Sequence, residues 1–462
     1  MAKPPIIDAG RVIADLRELA RRTGDHDGAQ RLCWSETWRN ARGFLRELLD
    51  EIGIKPEIDE AGNAWAYLQG DAAPALGLGS HLDSVPNGGW LDGALGVMGG
   101  LGVLRAWVGA ERRPPRTLAL VDWADEEGAR FGRSLFGSSA AAGTFDPAEL
   151  AEARDSDGRR APDVLAENGV ELERVLDCRS RLERIEAYLE LHIEQGPVLE
   201  GEGVRAAAVS GCVGVERYRF AIGGRVSHAG TTPMDARHDA GLAASAAALR
   251  VEEIARQEGG VGTVGAISFE PGIPTAVPGA ASIMVDLRHR DPQALSRMLD
   301  STREAVSACA EERGCTSDEQ PVWRIAPIAF DPALVALAGE ACERTTGNAF
   351  ELPSGALHDA ASMAPHVPTA MIFSPSIAGI SHAPEEDTAE PDLMAAIESF
   401  GALVNLRFAY QLQAPSRVGG GSAVSLAHSS TWQESPHTHT GPRRVAPAER
   451  SPWSLSRCCS RC

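Results

Sequence analysis

A basic surplus is missing from this chain: 44 Lys and Arg stand against 64 Asp and Glu, a net charge of −20. Nucleic acid and anionic membranes both require basic patches, so neither is expected as a partner. Long apolar runs are missing too, and none approaches the ~20 residues that cross a bilayer. The nearest, GALGVMGGLGVLRAWVGA at 93–110, is Gly-rich, is broken by Arg105 and reads as a buried core helix. The N-terminal MAKPPIIDAGRVIADLRELARR has no apolar core of a secretory signal. Its VIADLRELARR stretch reads instead as an amphipathic helix with Val12, Leu16 and Leu19 on one face. The nine cysteines are mostly isolated, which excludes a disulfide framework and makes the cytoplasm the expected compartment. No internal repeat is evident.

At 462 residues, 43% of them apolar, the chain exceeds what one hydrophobic core usually organises. Its first half alternates helices and strands. RGFLRELLDEIG reads as a helix closed by Gly53, and AWAYL, ALGLGS and TLALVDWA read as short apolar strands. Chemistry at the carboxyl ends of strands, with helices between them, marks an open α/β sheet. From about 214 the texture changes. VERYRFAIGG, VGAISFEPG and ASIMVDLRHR have strand periodicity, and GLAASAAALRVEEIARQEG and PQALSRMLDSTREAVSACAEERG are long helical stretches. After about 328 the first pattern returns, with helix PALVALAGEACERTTG, strand TAMIFSP and helix PDLMAAIESFGALVNLRFAYQ. The expected architecture is α/β: an open mixed-sheet catalytic domain with helices on both faces, at 1–213 and 328–412. A smaller α+β lid or dimerisation domain interrupts it at 214–327. Residues 413–462 are rich in Ser, Pro, Gly and Arg and read as a disordered tail. There Cys459 and Cys462, beside Cys458 and downstream of His437 and His439, form a weak metal signal.

Five clusters carry the chemistry: GSHLDSVPNGGWLDG at 79–93, DEEGARFG at 125–132, ELHIEQG at 190–196, SHAGTTP at 227–233 and GISHAPEE at 379–386. They place His81, Asp92, Glu127, His192 and His382 where ligands of divalent metals are expected, with Glu126 left over as a base. A carboxylate such as Asp92 can bridge two ions. A ligating imidazole needs its other ring nitrogen held, and Asp83, two residues after His81, is placed to do so. Asp125, Glu126 and Glu127 follow an apolar strand directly, where three carboxylates repel one another unless a cation neutralises them. Adjacent strand positions face opposite ways, so one of Glu126 and Glu127 would bind metal while the other moves protons. Each cluster alone also has a plainer reading: a polar turn around His81, a solvated charge run, a structural histidine at 192. Their conjunction points to a hydrolase.

Across about 1–412 the chain resembles the metal-dependent amidohydrolases of the M20 peptidase superfamily. It is most similar to the branch of N-carbamoyl-L-amino-acid hydrolases, β-ureidopropionases and allantoate amidohydrolases. The resemblance implies two divalent ions, zinc, manganese, cobalt or nickel. His81, Asp92 and His192 would match one of them, Glu127 and His382 the other, with Asp92 shared. It makes Glu126 the general base, which passes its proton to the departing nitrogen after hydroxide attacks the ureido carbonyl. Relatives acting as aminopeptidases or deacylases usually carry a carboxylate where His192 stands. His228 matches a histidine that steadies the transition-state oxygen from the partner subunit, which implies a homodimer with a lid that closes over substrate. Arg288 matches an arginine that grips the substrate carboxylate, and Gln195 another substrate contact.

Two pocket positions depart from the family. Thr275 stands in PGIPTAVPG where an asparagine is usual, and Leu357 in SGALHDA where a small residue is usual. The expected substrate is a small ureido acid, either allantoate or an N-carbamoyl-L-amino acid. An M20-type metallopeptidase or N-acyl-amino-acid deacylase is the alternative. A scaffold that merely keeps the fold would have no use for Glu126 and all five ligands.

Overall fold

The computed structural model describes residues 4–413. The segment from 414 onward, with Cys459, Cys462, His437 and His439, lies outside the described residues, and so does the expected tail.

Near the N-terminus lie helices α1 (Ala9–Thr23) and α2 (Glu36–Asp50). The first strands longer than two residues are β1 (Ala64–Leu68) and β2 (Ala75–His81), followed by α3 (Ala94–Gly109), β3 (Leu118–Trp123) and α4 (Phe136–Ala142). Next come β4 (Ile185–Ile193), β5 (Ala207–Cys212) and β6 (Gly214–Gly223). Then follow α5 (Ala240–Glu258), β7 (Val261–Glu270), β8 (Ala280–His289), α6 (Pro292–Glu311) and β9 (Thr316–Ile325). Last are α7 (Pro332–Thr346), β10 (Thr369–Ser374) and α8 (Glu390–Gln413).

The larger sheet runs β5-β10-β4-β2-β3-β1, with short strands at both margins. Its centre, β10-β4-β2-β3, is parallel, while β5 and β1 flank it antiparallel. The fold is therefore mixed α/β. Strands β2, β3 and β10 are buried at every residue, which is why they read as unbroken apolar runs rather than as alternating ones. Helix α3 lies against one face. A Cβ at Gly96 would come within 2.5 Å of the Leu191 carbonyl, so its glycines let the helix settle directly on the sheet. Asp359–Met363 covers the other face, where the Ala360 N–H donates to the Glu190 carboxylate. Gly53, with a φ of 72°, closes α2 through bonds from Gly53 N to Asp50 O and from Ile54 N to Leu49 O.

A second sheet, β7-β8-β6-β9, is antiparallel, and α5 and α6 pack on it around a separate apolar core centred on Ile283, Ala247 and Met298. Strand β9 had no sequence signal. It is a margin strand that is almost wholly exposed, so its TSDEQPVWRI is polar where a strand is usually apolar. Among the described residues no helix is long and apolar enough to cross a membrane.

Candidate metal centre

The parallel strands deliver their carboxyl ends to one place. His81 is the last residue of β2, His192 is the penultimate residue of β4, and Asp92 lies in the loop that enters α3. All three are at most 3% exposed. The His192 Nδ1 lies 3.0 Å from the Ile193 carbonyl, and the His81 Nδ1 lies 3.1 Å from the Asp83 carbonyl. A carbonyl only accepts, so each Nδ1 carries a proton and Nε2 is the nitrogen left to meet a metal. Those Nε2 atoms face Asp92 Oδ1, at 3.2 Å from His192 and 3.8 Å from His81. The expected hold on His81 thus comes from the backbone of Asp83. Its carboxylate stands 3.7 Å off and accepts instead from the Glu126 and Glu127 N–H groups, at 3.3 and 3.2 Å.

The second oxygen of Asp92 turns the other way, 3.3 Å from His382 Nε2, and that nitrogen lies 3.6 Å from Glu127 Oε2. Two triads therefore share one carboxylate, His81–Asp92–His192 and Asp92–Glu127–His382, each with its donor atoms within 4.8 Å of one another. Glu126 lines the same cavity, 8% exposed, with Oε2 3.7 Å from His81 Nε2.

Glu126 and Glu127 are not strand neighbours, contrary to the sequence expectation. Strand β3 ends at Trp123, and Asp125 takes a left-handed φ of 55°, rare for a non-glycine residue. Trp34 Nε1 donates to Asp125 Oδ2 at 2.9 Å and holds that turn, so both glutamates come onto the wall of one cavity. Gly93 is required for a different reason. Its φ is 64°, and a Cβ there would lie 2.3 Å from His81 Cε1. Gly93→Ala is expected to displace the imidazole and lower affinity for Mn²⁺ by roughly 10–100-fold in calorimetric titration, as loss of ligand support does elsewhere.

Burial pushes Glu127 up to about 8, Glu190, Asp125 and Glu386 to about 7 and Glu126 well above its usual range, with repulsion from neighbouring carboxylates adding to it at all but Glu190. At Asp92 burial is outweighed by the bonds to His192 and His382, which hold it well below the usual range. Burial lowers the His81 imidazole to about 4. For His192 burial opposes protonation, but the bond to Asp92 prevails and raises it to about 9; the bond to Asp92 likewise raises His382 to about 9. The Glu127 Oε1 is buried without a hydrogen-bond partner. Imidazole lone pairs with converging buried carboxylates, one oxygen of them orphaned, are a donor set that fits two divalent cations.

The remaining predicted residues divide. Gln195 is at the centre, donating from Nε2 to Asp92 Oδ2 at 2.9 Å. Arg288 and Leu357 line the cavity of about 230 Å³ that also holds the triads. Arg288 engages Asp286 and the Gly355 carbonyl through Nε and Nη1, both at 2.8 Å. His228 and Thr275 are exposed and do not line that cavity. They lie side by side instead, because Ser227–His228 pairs with Ala276–Val277 and the Ala229 N–H donates to the Thr275 carbonyl.

Two participants escaped the sequence reading. Glu386, 1% exposed, accepts from the Leu91 and Asp92 N–H groups at 3.2 and 3.1 Å and from Ser381 Oγ at 2.8 Å. It ties the Asp92 loop to the His382 loop, yet in APEE it looks like any solvated carboxylate. Glu386→Gln is expected to weaken metal binding by roughly tenfold or more, while the glutamine keeps the shape of the site. His358 packs on His192 with ring centres 4.3 Å apart and meets Ser354 Oγ at 2.9 Å.

The sequence pattern of peptidase family M20/M25/M40 matches residues 77–406. An N-carbamoyl-L-amino acid amidohydrolase of Geobacillus stearothermophilus is 34% identical over 375 residues, 80% of this chain and 91% of that one. An allantoate amidohydrolase of Escherichia coli is 35% identical over 395 residues, 83% and 94% of the two chains. A hydantoinase/carbamoylase family amidase from Burkholderia multivorans, known by crystal structure, has a TM-score of 0.79 at 32% identity and covers 87% of this chain and 98% of its own.

Proposed function

Because the chain belongs to peptidase family M20/M25/M40, we propose that it is a metal-dependent amidohydrolase cleaving the C–N bond of a small ureido acid, allantoate or an N-carbamoyl-L-amino acid. The observation that carries the reading is Asp92, one carboxylate shared by two candidate ligand triads, with Glu126 beside His81 in the same cavity. His81, Asp92 and His192 would hold one ion, and Asp92, Glu127 and His382 the other, with zinc, manganese, cobalt and nickel all suited to such donors. Bound divalent ions supply Lewis acidity and lower the pKa of water.

The chain's own groups do the rest. The Glu126 carboxylate takes the proton of the attacking water, and the hydroxide adds to the ureido carbonyl. Glu126 then returns the proton to the departing nitrogen. Its low exposure keeps bulk water from competing for that proton. The products are the free amine and carbamate, which breaks down to ammonia and carbon dioxide. Gln195 and Arg288 stand where they would orient the substrate, and the forked guanidinium suits its carboxylate. Asp83 is a positioning residue that holds the backbone of both glutamates.

Residues 214–327 would work as lid and dimerisation unit between the catalytic parts at 1–213 and 328–412. Strand β7 is a sheet margin whose Val261, Ile267 and Phe269 are exposed, as are Leu242 and Leu249 on neighbouring α5. Such a face favours a second copy of the chain, which would bring its His228 and Thr275 to this cavity.

Ammonia release by protein reconstituted with Mn²⁺ or Co²⁺ tests the reading, with allantoate, N-carbamoyl-L-amino acids, N-acetyl amino acids and dipeptides as substrates. Turnover confined to the ureido compounds is expected. Cleavage of only acetylated or peptide substrates would make the deacylase or peptidase alternative correct.

A further inference from the structure

The cavity around the two triads does not end at the metal ligands. On one side its wall is Leu135, Trp323 and Leu357 with Ser134 among them, and the same four residues form the boundary of an adjoining cleft of about 800 Å³. Val213 and Val215 continue the apolar lining inside the cavity. Trp323 is aimed there by local backbone: the pairing of β9 with β6 shifts register between Pro321 and Trp323, a bulge that re-aims the following side chain. The Arg217 guanidinium lies 5.2 Å from the centre of its ring and steadies it. Leu357 adds a branched apolar group to the same wall.

We propose that this wall selects N-carbamoyl amino acids with a bulky apolar side chain, aromatic or branched aliphatic, over allantoate. The inference rests on the ureido-hydrolase reading and names its substrate class. With the ureido carbonyl at the triads and the carboxylate at Arg288, the third substituent of the α-carbon is left to meet the wall. Allantoate places a second ureido group there. Of the groups on that side only the Ser134 hydroxyl could accept from its N–H donors; the rest would meet Leu135, Val213, Val215 and Leu357, and unpaired polar groups are costly to bury. An aromatic or branched side chain loses nothing by the same transfer and gains contact.

The test is kcat/KM of the Mn²⁺-reconstituted protein for N-carbamoyl-L-phenylalanine, N-carbamoyl-L-leucine, N-carbamoylglycine and allantoate. The first two are expected to exceed the last two by roughly tenfold or more, the usual worth of an apolar pocket. Trp323→Ala and Leu357→Ala should each erase most of that preference, chiefly through KM. A binding measurement that keeps the wall intact guards against misfolding of these variants. Glu126→Gln protein holding metal should bind N-carbamoyl-L-phenylalanine more tightly than allantoate in calorimetry. If ureido substrates are cleaved with allantoate or N-carbamoylglycine preferred, or with no preference, the wall has no selective role and the ureido-hydrolase reading stands. If only acetylated amino acids or dipeptides are cleaved, both fall.

Discussion

Glu126→Gln is expected to lower kcat by about 10²–10⁴ while the protein keeps its full complement of divalent metal. The two outcomes separate because Glu126 lies 3.7 Å from His81 on the wall of the same cavity without belonging to either triad. Glutamine keeps the shape and the burial but cannot carry a proton from water to the leaving nitrogen. Initial rates and elemental analysis on the same preparation read both quantities. A variant that turns over normally would show that the base lies elsewhere. One that loses an ion would make Glu126 a ligand, and the division of labour with Glu127 would have to be redrawn.

Chelating the divalent ions is expected to abolish turnover and to reverse the response of stability to pH. In the metal-free protein burial raises Glu127 to about 8 and Glu190, Asp125 and Glu386 to about 7, against roughly 4 for such groups in an unfolded chain. Between those values these four carboxyls bind more protons in the native state than in the unfolded one, so they make stability fall as pH rises. His81, lowered to about 4 by burial, opposes them up to about pH 6.5. The carboxyl contribution is complete below about pH 4 and is lost as pH passes through 7 to 8. His192 and His382, both raised to about 9 by Asp92 after burial has opposed the first, act in the same direction, their stabilisation fading as pH climbs toward 9. Ions need deprotonated ligands, so the loaded protein should gain stability over the same interval. Ions at a hundredfold excess over Kd add about 2.7 kcal/mol. Thermal unfolding at pH 6 and pH 8, with chelator and with Mn²⁺, should give slopes of opposite sign. Parallel slopes would mean that the buried carboxylates are not relieved by metal.

The strands of the larger sheet were legible because burial on both faces forces continuous apolar sequence, as in TLALVDWA and TAMIFSP. Strand β9 was not, since a margin strand exposed on both faces has no apolar requirement to reveal it. Strand β5, an Ala-rich AAVSGC, lacks the β-branched run by which a short strand is recognised. The candidate ligands were legible as types: His81, Asp92, Glu127, His192 and His382 are the kinds of side chain a divalent ion needs, two of them at ends of strands. Glu386 and His358 were not, because a buried acceptor of backbone N–H groups and an imidazole packed at a tilt against another look in sequence like a surface charge and a stray histidine.

By itself the amino-acid sequence determined that this chain is an acidic α/β protein carrying a hydrolytic ligand set, since composition, periodicity and residue type are local properties. Only the tertiary structure decided how that set is divided: which oxygen of Asp92 faces which histidines, and that the backbone carbonyl of Asp83, rather than its carboxylate, holds His81. It also decided that Glu126 and Glu127 share a wall, through the left-handed turn at Asp125, and that His228 and Thr275 stand together away from the cavity of their own chain. These relations join residues tens to hundreds of positions apart. Their geometry depends on packing and on buried hydrogen bonds, which no local pattern in the chain encodes.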